Sequence, residues 1–455
     1  MTSSLINQLE KKESIVKYLA LFMGYRVLLE YVYIIAVSYC FEYLGFPYTP
    51  NISKCVISYL LFWFLICTLD RRVSINGILV NSFFAICIIP MLSFYWLADK
   101  QTLYIIYEVV FFLILNFISR RNVKPLVFSI GSKFNRYEIA IQVLFAGYVV
   151  LCVFFGLKQG GIDTRAFSFS SIYKLRSEGT SIDGVSSYIL SWCAKSFFPV
   201  FLVYFLYVKQ YLKVVICLCC QVFLYLCFGY KAYILSAVMT FVVYFIAKKS
   251  VMEKYESNIC TTSIYFVALI PCALTRLGGI LGKIGFSINN IFAMRMLFEP
   301  ARIQNGYFDF FSSNNKLFFS EGLIGKLFGL HYPYDDAIGF VITRHLNGID
   351  AVSNSNTGVI ADSFSQLGVP GIVIIAILMG AIILFIKKIC IYTPSYCITA
   401  MFFYPIFMWN DNPLLTNLLT NGLVLDIALL ILVEGVLRSR TLREKHVEEN
   451  KYVTI

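Results

Sequence analysis

Charged residues and histidines are scarce in this chain of 455 residues. Only 14% of the residues are charged and three are histidines, whereas 59% are hydrophobic. A soluble domain carries about 25% charged residues, so this chain lacks the polar groups needed to cover a soluble surface. The composition excludes an ordinary soluble enzyme and predicts a single polytopic membrane domain over residues 1–455.

Several chemical signatures are also missing. The sequence contains no GxxxxGK[ST], GxSxG or HExxH motif, which excludes the familiar ATP-driven transporters and hydrolases. The 14 cysteines avoid the two long polar segments described below and form no CxxC…CxxC spacing, so we expect buried thiols. The net charge of +12 resides mostly beside apolar runs, which indicates membrane orientation and no nucleic-acid partner.

Long apolar runs dominate the chain instead. A spanning helix needs roughly 20 mostly apolar residues, and about twelve such runs predict an all-α membrane protein. Their centres lie near residues 30, 60, 87, 110, 147, 198, 219, 240, 268, 379, 402 and 427. Lysines and arginines concentrate in alternate loops, which places both termini in the cytoplasm.

Two long segments then fall on the outer side of the membrane, at residues 158–183 and 276–354. Loops of this length are usually functional or disordered. The second is rich in aromatic and leucine residues, as in Tyr307-Phe308-Asp309-Phe310-Phe311. We expect it to fold as short interfacial helices against the outer leaflet.

Arginines are the most prominent candidates for chemistry in these outer segments. An arginine side chain presents a planar fork that binds phosphate oxygens through two hydrogen bonds and stays charged. Several of them near the membrane would suit an anionic lipid-linked substrate, although ordinary solvated charges are the alternative. The six are Arg165, Arg176, Arg276, Arg295, Arg302 and Arg344.

Two histidines share the second outer segment with a pair of aspartates. His331, His345, Asp335 and Asp336 do not have the spacing of a standard metal site, so no metal is expected. One histidine, of which we favour His345, could act as a general base because its ordinary pKa lies near neutral pH.

One charged pair lies inside an apolar run. Arg26 and Glu30 are four residues apart in the first span, which puts them on one helix face. We expect a structural ion pair, since isolated charges inside a membrane are costly.

Three local patterns resemble the O-antigen polymerase family, which joins repeat units of bacterial surface polysaccharides. They are Ile172-Tyr173-Lys174-Leu175-Arg176-Ser177-Glu178, followed by Tyr188, Trp192 and Pro199; Met294-Arg295-Met296-Leu297-Phe298-Glu299-Pro300, followed by Tyr307 and Phe310; and residues 354–371 with Asn356, Gly358, Ala361, Asp362, Gly368 and Gly371. The turn Gly229-Tyr230-Lys231-Ala232 is also similar to one in that family. The arrangement of about twelve spans with two long outer loops agrees over almost the whole chain.

The resemblance implies a multi-pass glycosyltransferase of the bacterial inner membrane, with both long loops periplasmic. Its substrate would be an oligosaccharide on undecaprenyl diphosphate, it would need no cofactor or metal, and a chain-length regulator would be its partner in the bilayer. Arginines would stabilise the charge that develops on the diphosphate. Together with the arginines and the histidine singled out above, the matched patterns give these predicted site residues: Arg176, Arg295 and His345 for catalysis, and Arg165, Tyr173, Arg302, Tyr307, Lys231 and Asn356 for substrate binding.

Two other functions remain open at this point. The related O-antigen ligase passes a finished glycan to a lipid acceptor and favours a histidine motif at the start of the span after its large loop, where this chain has Asn354 and Asn356. A flippase of lipid-linked oligosaccharides usually has short, even loops, and the second outer segment argues against it.

Overall fold

The computed structural model describes residues 15–71, 74–126, 134–167, 184–252, 265–348 and 353–453, together with the single residues 175, 182, 263 and 350. Within this part of the chain all regular structure is helical. The chain divides into two compact units. The first comprises residues 1–122, 254–384 and 406–414, and the second comprises residues 123–253, 385–405 and 415–455.

The first unit contains ten helices. They are α1 (Ile15–Leu44), α2 (Ile52–Thr68), α3 (residues 75–97), α4 (Thr102–Ser119), α9 (Tyr265–Arg276), α10 (residues 279–313), α11 (Gly322–Phe328), α12 (Ile338–Asn347), α13 (Val359–Leu367) and most of α14 (Val369–Ile389). The second unit contains α5 (Phe134–Lys158), α6 (Val185–Tyr207), α7 (Tyr211–Phe228), α8 (Lys231–Met252), α15 (Ser395–Phe407) up to Pro405, and α16 (Leu423–Val453), which the short helix Leu414–Leu418 precedes.

Nine helices in the described residues are long and apolar enough to cross a membrane, which confirms the prediction of a helical membrane protein. The predicted spans near residues 60, 268 and 402 correspond to shorter helices. Helix α2 has 17 residues, α9 begins at Tyr265, and α15 has 13 residues with Pro405 inside it.

The first span contains the predicted ion pair. Arg26 is fully buried, and its Nε donates to Glu30 at 2.8 Å. Glu30 also accepts hydrogen bonds from Tyr59 (2.6 Å), Ser93 (3.1 Å) and Trp96 (3.0 Å). Because every charge here has partners, the pair can stay inside the membrane region. The structural interpretation of Arg26 and Glu30 is confirmed.

Short π-helical segments interrupt several long helices, including the five residues 84–88 of α3 and the ten residues 289–298 of α10. A π turn releases backbone carbonyls from the regular ladder, and other groups must then satisfy them. In α3 the hydroxyl of Tyr25 donates to the carbonyl of Ala85 at 3.0 Å, and the amide of Asn410 donates to the carbonyl of Ile86 at 3.2 Å. These bonds attach α1 and the short turn Met408–Asn410, which also belongs to the first unit, to the middle of α3.

The second outer segment differs in part from the expectation of short interfacial helices. Residues 300–308 of α10 are buried, because the ring of Phe308 packs between Tyr104 and Tyr107 of α4, at centroid distances of 5.4 and 5.6 Å. Only residues further along, such as Leu327 and Phe328 of α11, are exposed, at 75% and 70%. The expectation was therefore wrong for α10, whose aromatic residues pack into the core of the unit.

Candidate functional site

The candidate site lies on helix α10 of the first unit, near the end of α4 that begins at Thr102. Arg302 and Asp309 are seven residues apart on α10, so the helical period places them on one face. Helix α12 lies beside this face and contributes His345 and Asn347. The turn between α3 and α4 contributes Lys100.

Asp309 is the centre of the site. Its Oδ1 accepts hydrogen bonds from the hydroxyl of Tyr104 at 3.1 Å and from the amide of Gln101 at 3.4 Å. Its Oδ2 lies 3.0 Å from Nε2 of His345. One carboxylate thus connects α4, α10 and α12, although its side chain remains 51% exposed.

His345 is oriented by this contact. A neutral imidazole that donates from Nε2 to a carboxylate carries its lone pair on Nδ1. Nδ1 has no hydrogen bond within the described part of the chain. The ring of Phe310 lies edge-on to the imidazole at 5.5 Å and restricts its rotation. The pair therefore has the geometry of a general base held by a carboxylate.

Arg302 is fixed more tightly than a substrate-binding arginine would need to be. It is 5% exposed, and its Nε and Nη2 both donate to the carboxylate of Glu299 at 2.9 Å. Its Nη1 donates to Asn347 at 3.0 Å, two residues after His345. The guanidinium also lies so close to α1 that a Cβ at Gly45 would be 3.1 Å from Nη1. Arg302 thus holds the end of α12, and with it His345, against α10.

Lys100 is a second cation at the same face. Burial lowers the pKa of the Lys100 ammonium group below its usual value, and the positive charge of Arg302 lowers it further. The ammonium lies 5.2 Å from the centre of the Phe94 ring. The neighbouring Lys54 pairs with Asp99 at 2.7 Å. The positive charges of Lys100 and Arg302 are therefore close enough to repel each other. A bound anion between or beside them would reduce this repulsion.

A pair of carboxyl groups lies on another side of α10. Burial raises the pKa of Asp362 to about 6, and the nearby charge of Glu321 adds to this effect, whereas the hydrogen bond from Gln366 opposes it. Burial also raises the pKa of Glu321. The hydroxyl of Tyr307 on α10, which is close to both carboxyl groups, donates to the carbonyl of Ser355 at 3.1 Å. Tyr307 thereby attaches the extended segment 353–358 to α10.

The other predicted residues are dispersed. Arg295 is exposed on the π-helical part of α10 and has no ion-pair partner among the described residues. Asn356 is exposed in the segment before α13. Arg165 and Lys231 belong to the second unit, where Arg165 forms a two-pronged pair with Asp163, with bonds of 3.0 and 2.7 Å. Arg176 and Tyr173 lie outside the described residues.

The remaining arginines and histidine of the outer segments make contacts that do not indicate a binding site. Arg276 donates to the carbonyl of Ile35 at 2.8 Å, and Arg344 pairs with Asp336 at 3.1 Å. His331 is exposed. In the part of the chain that the structure describes, no three histidine, cysteine or acidic residues are grouped to hold a metal ion.

Sequence reasoning did not identify Asp309, Lys100, Tyr104 or Asn347 as site residues. Asp309 carried one signal, because it is the only charged residue within an aromatic run and lies two helical turns after Arg302. Nothing in the sequence indicated that Lys100 belongs to a site, because a lysine next to a spanning helix usually reflects the orientation of that helix in the membrane. Comparisons with protein-family models, with characterised proteins and with solved structures give no match.

Proposed function

We propose that this chain is a glycosyltransferase that polymerises undecaprenyl-diphosphate-linked oligosaccharide units at the periplasmic face of the bacterial inner membrane. In this proposal the chain has about twelve spans with both termini in the cytoplasm, and α10, α12 and α13 face the periplasm. The observation that carries the proposal is the pair of Asp309 and His345, at 3.0 Å, beside Lys100 and on the same helix as the exposed Arg295.

The pair supplies the base that glycan transfer needs. Nδ1 of His345 takes the proton of the acceptor sugar's hydroxyl group as that oxygen attacks the anomeric carbon of the donor glycan. The bond between the anomeric carbon and the diphosphate oxygen breaks, and the lipid diphosphate leaves with the electron pair. Asp309 stabilises the imidazolium that forms, as carboxylates do in other base pairs of this kind.

The cations stabilise the leaving group. Arg295 has an uncommitted guanidinium fork that can bind phosphate oxygens through two hydrogen bonds, and Lys100 adds a point charge. Because Arg302 is already neutralised by Glu299, we assign it a positioning role, in place of direct substrate binding. The three patterns that resemble the polymerase family include Arg295 and Tyr307 and support the same assignment.

Complementation of a deletion strain tests this function. Deleting the gene should leave surface glycan capped with one repeat unit, because flipping and ligation persist, and the wild-type gene should restore long chains. His345→Gln should behave like the deletion at matched protein level, whereas His331→Gln, an exposed histidine outside the network, should restore long chains. A complete absence of glycan in the deletion strain would instead indicate a ligase or a flippase.

A further inference from the structure

A cavity of about 610 Å³ lies at the opposite end of α4 from the candidate site. It is lined by Thr68, Leu113, Asn116, Phe117, Arg120 and Arg121. All six residues belong to the first unit and come from the ends of α2 and α4. Helix α4 has 18 residues and is therefore about 27 Å long. Its two ends accordingly lie near opposite faces of the membrane.

The polar lining of the cavity is cationic, and no acidic residue contributes to it. Arg120 is exposed, and the Nη1 of its guanidinium donates to the carbonyl of Thr68 at 2.6 Å. The backbone N–H of Arg120 donates to the carbonyl of Asn116 at 3.2 Å, and the other N–H groups of its guanidinium have no hydrogen bond within the described residues. The guanidinium of Arg121 lies 5.0 Å from the centre of the Phe117 ring. Two adjacent guanidinium groups at one opening favour a phosphate-bearing ligand.

Asn116 fixes one wall of the cavity. It is buried at 3% exposure, and its amide nitrogen donates to the carbonyl and the hydroxyl of Thr68 at 2.9 and 3.2 Å. These bonds attach the end of α4 to the end of α2, and they keep Arg120 beside the opening between the two helices.

The apolar part of the lining fits a hydrocarbon chain. Phe117 is 64% exposed on the outer surface of α4, and Leu113 lies one turn earlier on the same helix. A ligand with its phosphate at the arginines would therefore extend its tail along Leu113 and Phe117 toward the middle of the membrane. Basic residues at this end of the helix are the ones that the orientation rule assigns to the cytoplasmic side.

We infer that this cavity binds one anionic phospholipid of the cytoplasmic leaflet. Arg120 and Arg121 hold the phosphate, and Leu113 and Phe117 contact the first part of an acyl chain. Basic pockets at the cytoplasmic ends of spanning helices are suited to this chemistry. The inference is independent of the reaction proposed above.

The test uses the full-length protein purified in a non-ionic detergent. Phosphatidylglycerol, phosphatidylcholine and soluble glycerol 3-phosphate are titrated separately against the wild type, the Arg120→Gln/Arg121→Gln double variant and Lys124→Gln. Binding is read from the shift in melting temperature and from the mass of lipid-bound protein in native mass spectrometry. Lys124 is an exposed lysine close in sequence that does not line the cavity, so it controls for general loss of positive charge.

Phosphatidylglycerol should raise the melting temperature of the wild type and of Lys124→Gln, and one molecule should stay bound. The double variant should lose about 30-fold in affinity for this lipid, which is the loss expected from two such charge contacts. Equal responses of the wild type and the double variant would overturn the inference. So would equal binding of phosphatidylcholine, or binding of glycerol 3-phosphate as tight as that of the lipid, which would indicate a soluble anion.

Both arginines are exposed, so the double variant should fold. Its melting temperature without lipid should match that of Lys124→Gln, so that a lost response to phosphatidylglycerol reports lost binding.

Discussion

Nε2 of His345 lies 3.0 Å from Oδ2 of Asp309, although the two residues are 36 positions apart on different helices. The same carboxylate accepts a hydrogen bond from Tyr104, which is 205 positions earlier in the chain. The carboxylate and the ring of Phe310 together restrict the orientation of the imidazole, although the side chain is 36% exposed. The contact therefore changes His345 from a surface histidine into a candidate catalytic base.

The first prediction concerns the dependence of the two residues on each other. If Asp309 acts by orienting His345, the variants Asp309→Asn and His345→Gln should each reduce polymerisation strongly, and the double variant should be no worse than His345→Gln alone. Chain length in a complemented deletion strain gives the readout at matched protein level. Additive losses would mean that the two residues act separately.

An exposed carboxylate provides the control for this prediction. Asp335→Asn alters a carboxylate outside the network and should leave chain length unchanged. Short chains in Asp335→Asn would mean that loss of negative charge from this segment is enough to reduce polymerisation, without any part played by the contact with His345.

The second prediction separates two arginines on α10. Arg295 is exposed, so Arg295→Ala should lower polymerisation by about 10²–10³ without changing the melting temperature. Arg295→Lys should be nearly as impaired, because the fork geometry is lost. Arg302 is buried against Glu299, so Arg302→Ala should lower the melting temperature as well, by leaving a carboxylate without its partner.

Thermal unfolding in detergent and glycan length distinguish the two arginines. Normal long chains in Arg295→Ala would remove this residue from the proposed site. Full thermal stability in Arg302→Ala would contradict the positioning role that we assign to Arg302.

The third prediction concerns pH and stability. The pKa of Asp362 is raised from 3.8 to about 6 in the folded protein, so between these values the folded state binds a proton that the unfolded state has lost. Stability must then decrease as pH rises through this range, by roughly 3 kcal/mol at most. Asp362→Asn should abolish this decrease and be the more stable protein near neutral pH.

Melting temperatures from about pH 4 to pH 7 give the measurement for Asp362. The exposed Asp335 provides the matched control, because Asp335→Asn should follow the wild-type curve. If Asp362→Asn retained the full wild-type decrease, another group would have to be responsible.

The fourth prediction contrasts two buried carboxyl groups of the membrane region. Glu30 neutralises Arg26 and accepts three further hydrogen bonds, so Glu30→Gln should cost about 3–5 kcal/mol, because it leaves a buried charge uncompensated. Glu108 is fully buried, and both of its oxygens lack a partner within the described residues. Glu108→Gln removes no ion pair and should leave stability unchanged or higher.

The two glutamine variants differ from the wild type by the same chemical change, so each is the control for the other. In detergent, Glu30→Gln should melt at a much lower temperature than Glu108→Gln. A loss in Glu108→Gln as large as that in Glu30→Gln would mean that Glu108 has a charged partner in the native protein.

The spans were largely predictable from the sequence, because a helix crosses the membrane by its own length and apolarity, both of which are local properties. Nine of the predicted runs became such helices in the described residues. The pairing of Arg26 with Glu30 was equally local, since a spacing of four residues fixes a shared helix face. The burial of α10 was not predictable in this way, because aromatic and leucine residues suit a membrane interface as well as a protein core.

The sequence by itself thus determined that the protein is helical, lies in a membrane and carries cations in its long polar segments. Only the tertiary structure decided which of those residues meet. The sequence did not identify Asp309 as a site residue. The packing of α4 and α12 against α10 brings Tyr104 and His345 into contact with it. Arg302, for which we predicted substrate binding, donates to Glu299 and Asn347, and these bonds also depend on the tertiary structure. Contacts between distant segments depend on how helices pack, and a local pattern of residues does not encode that packing.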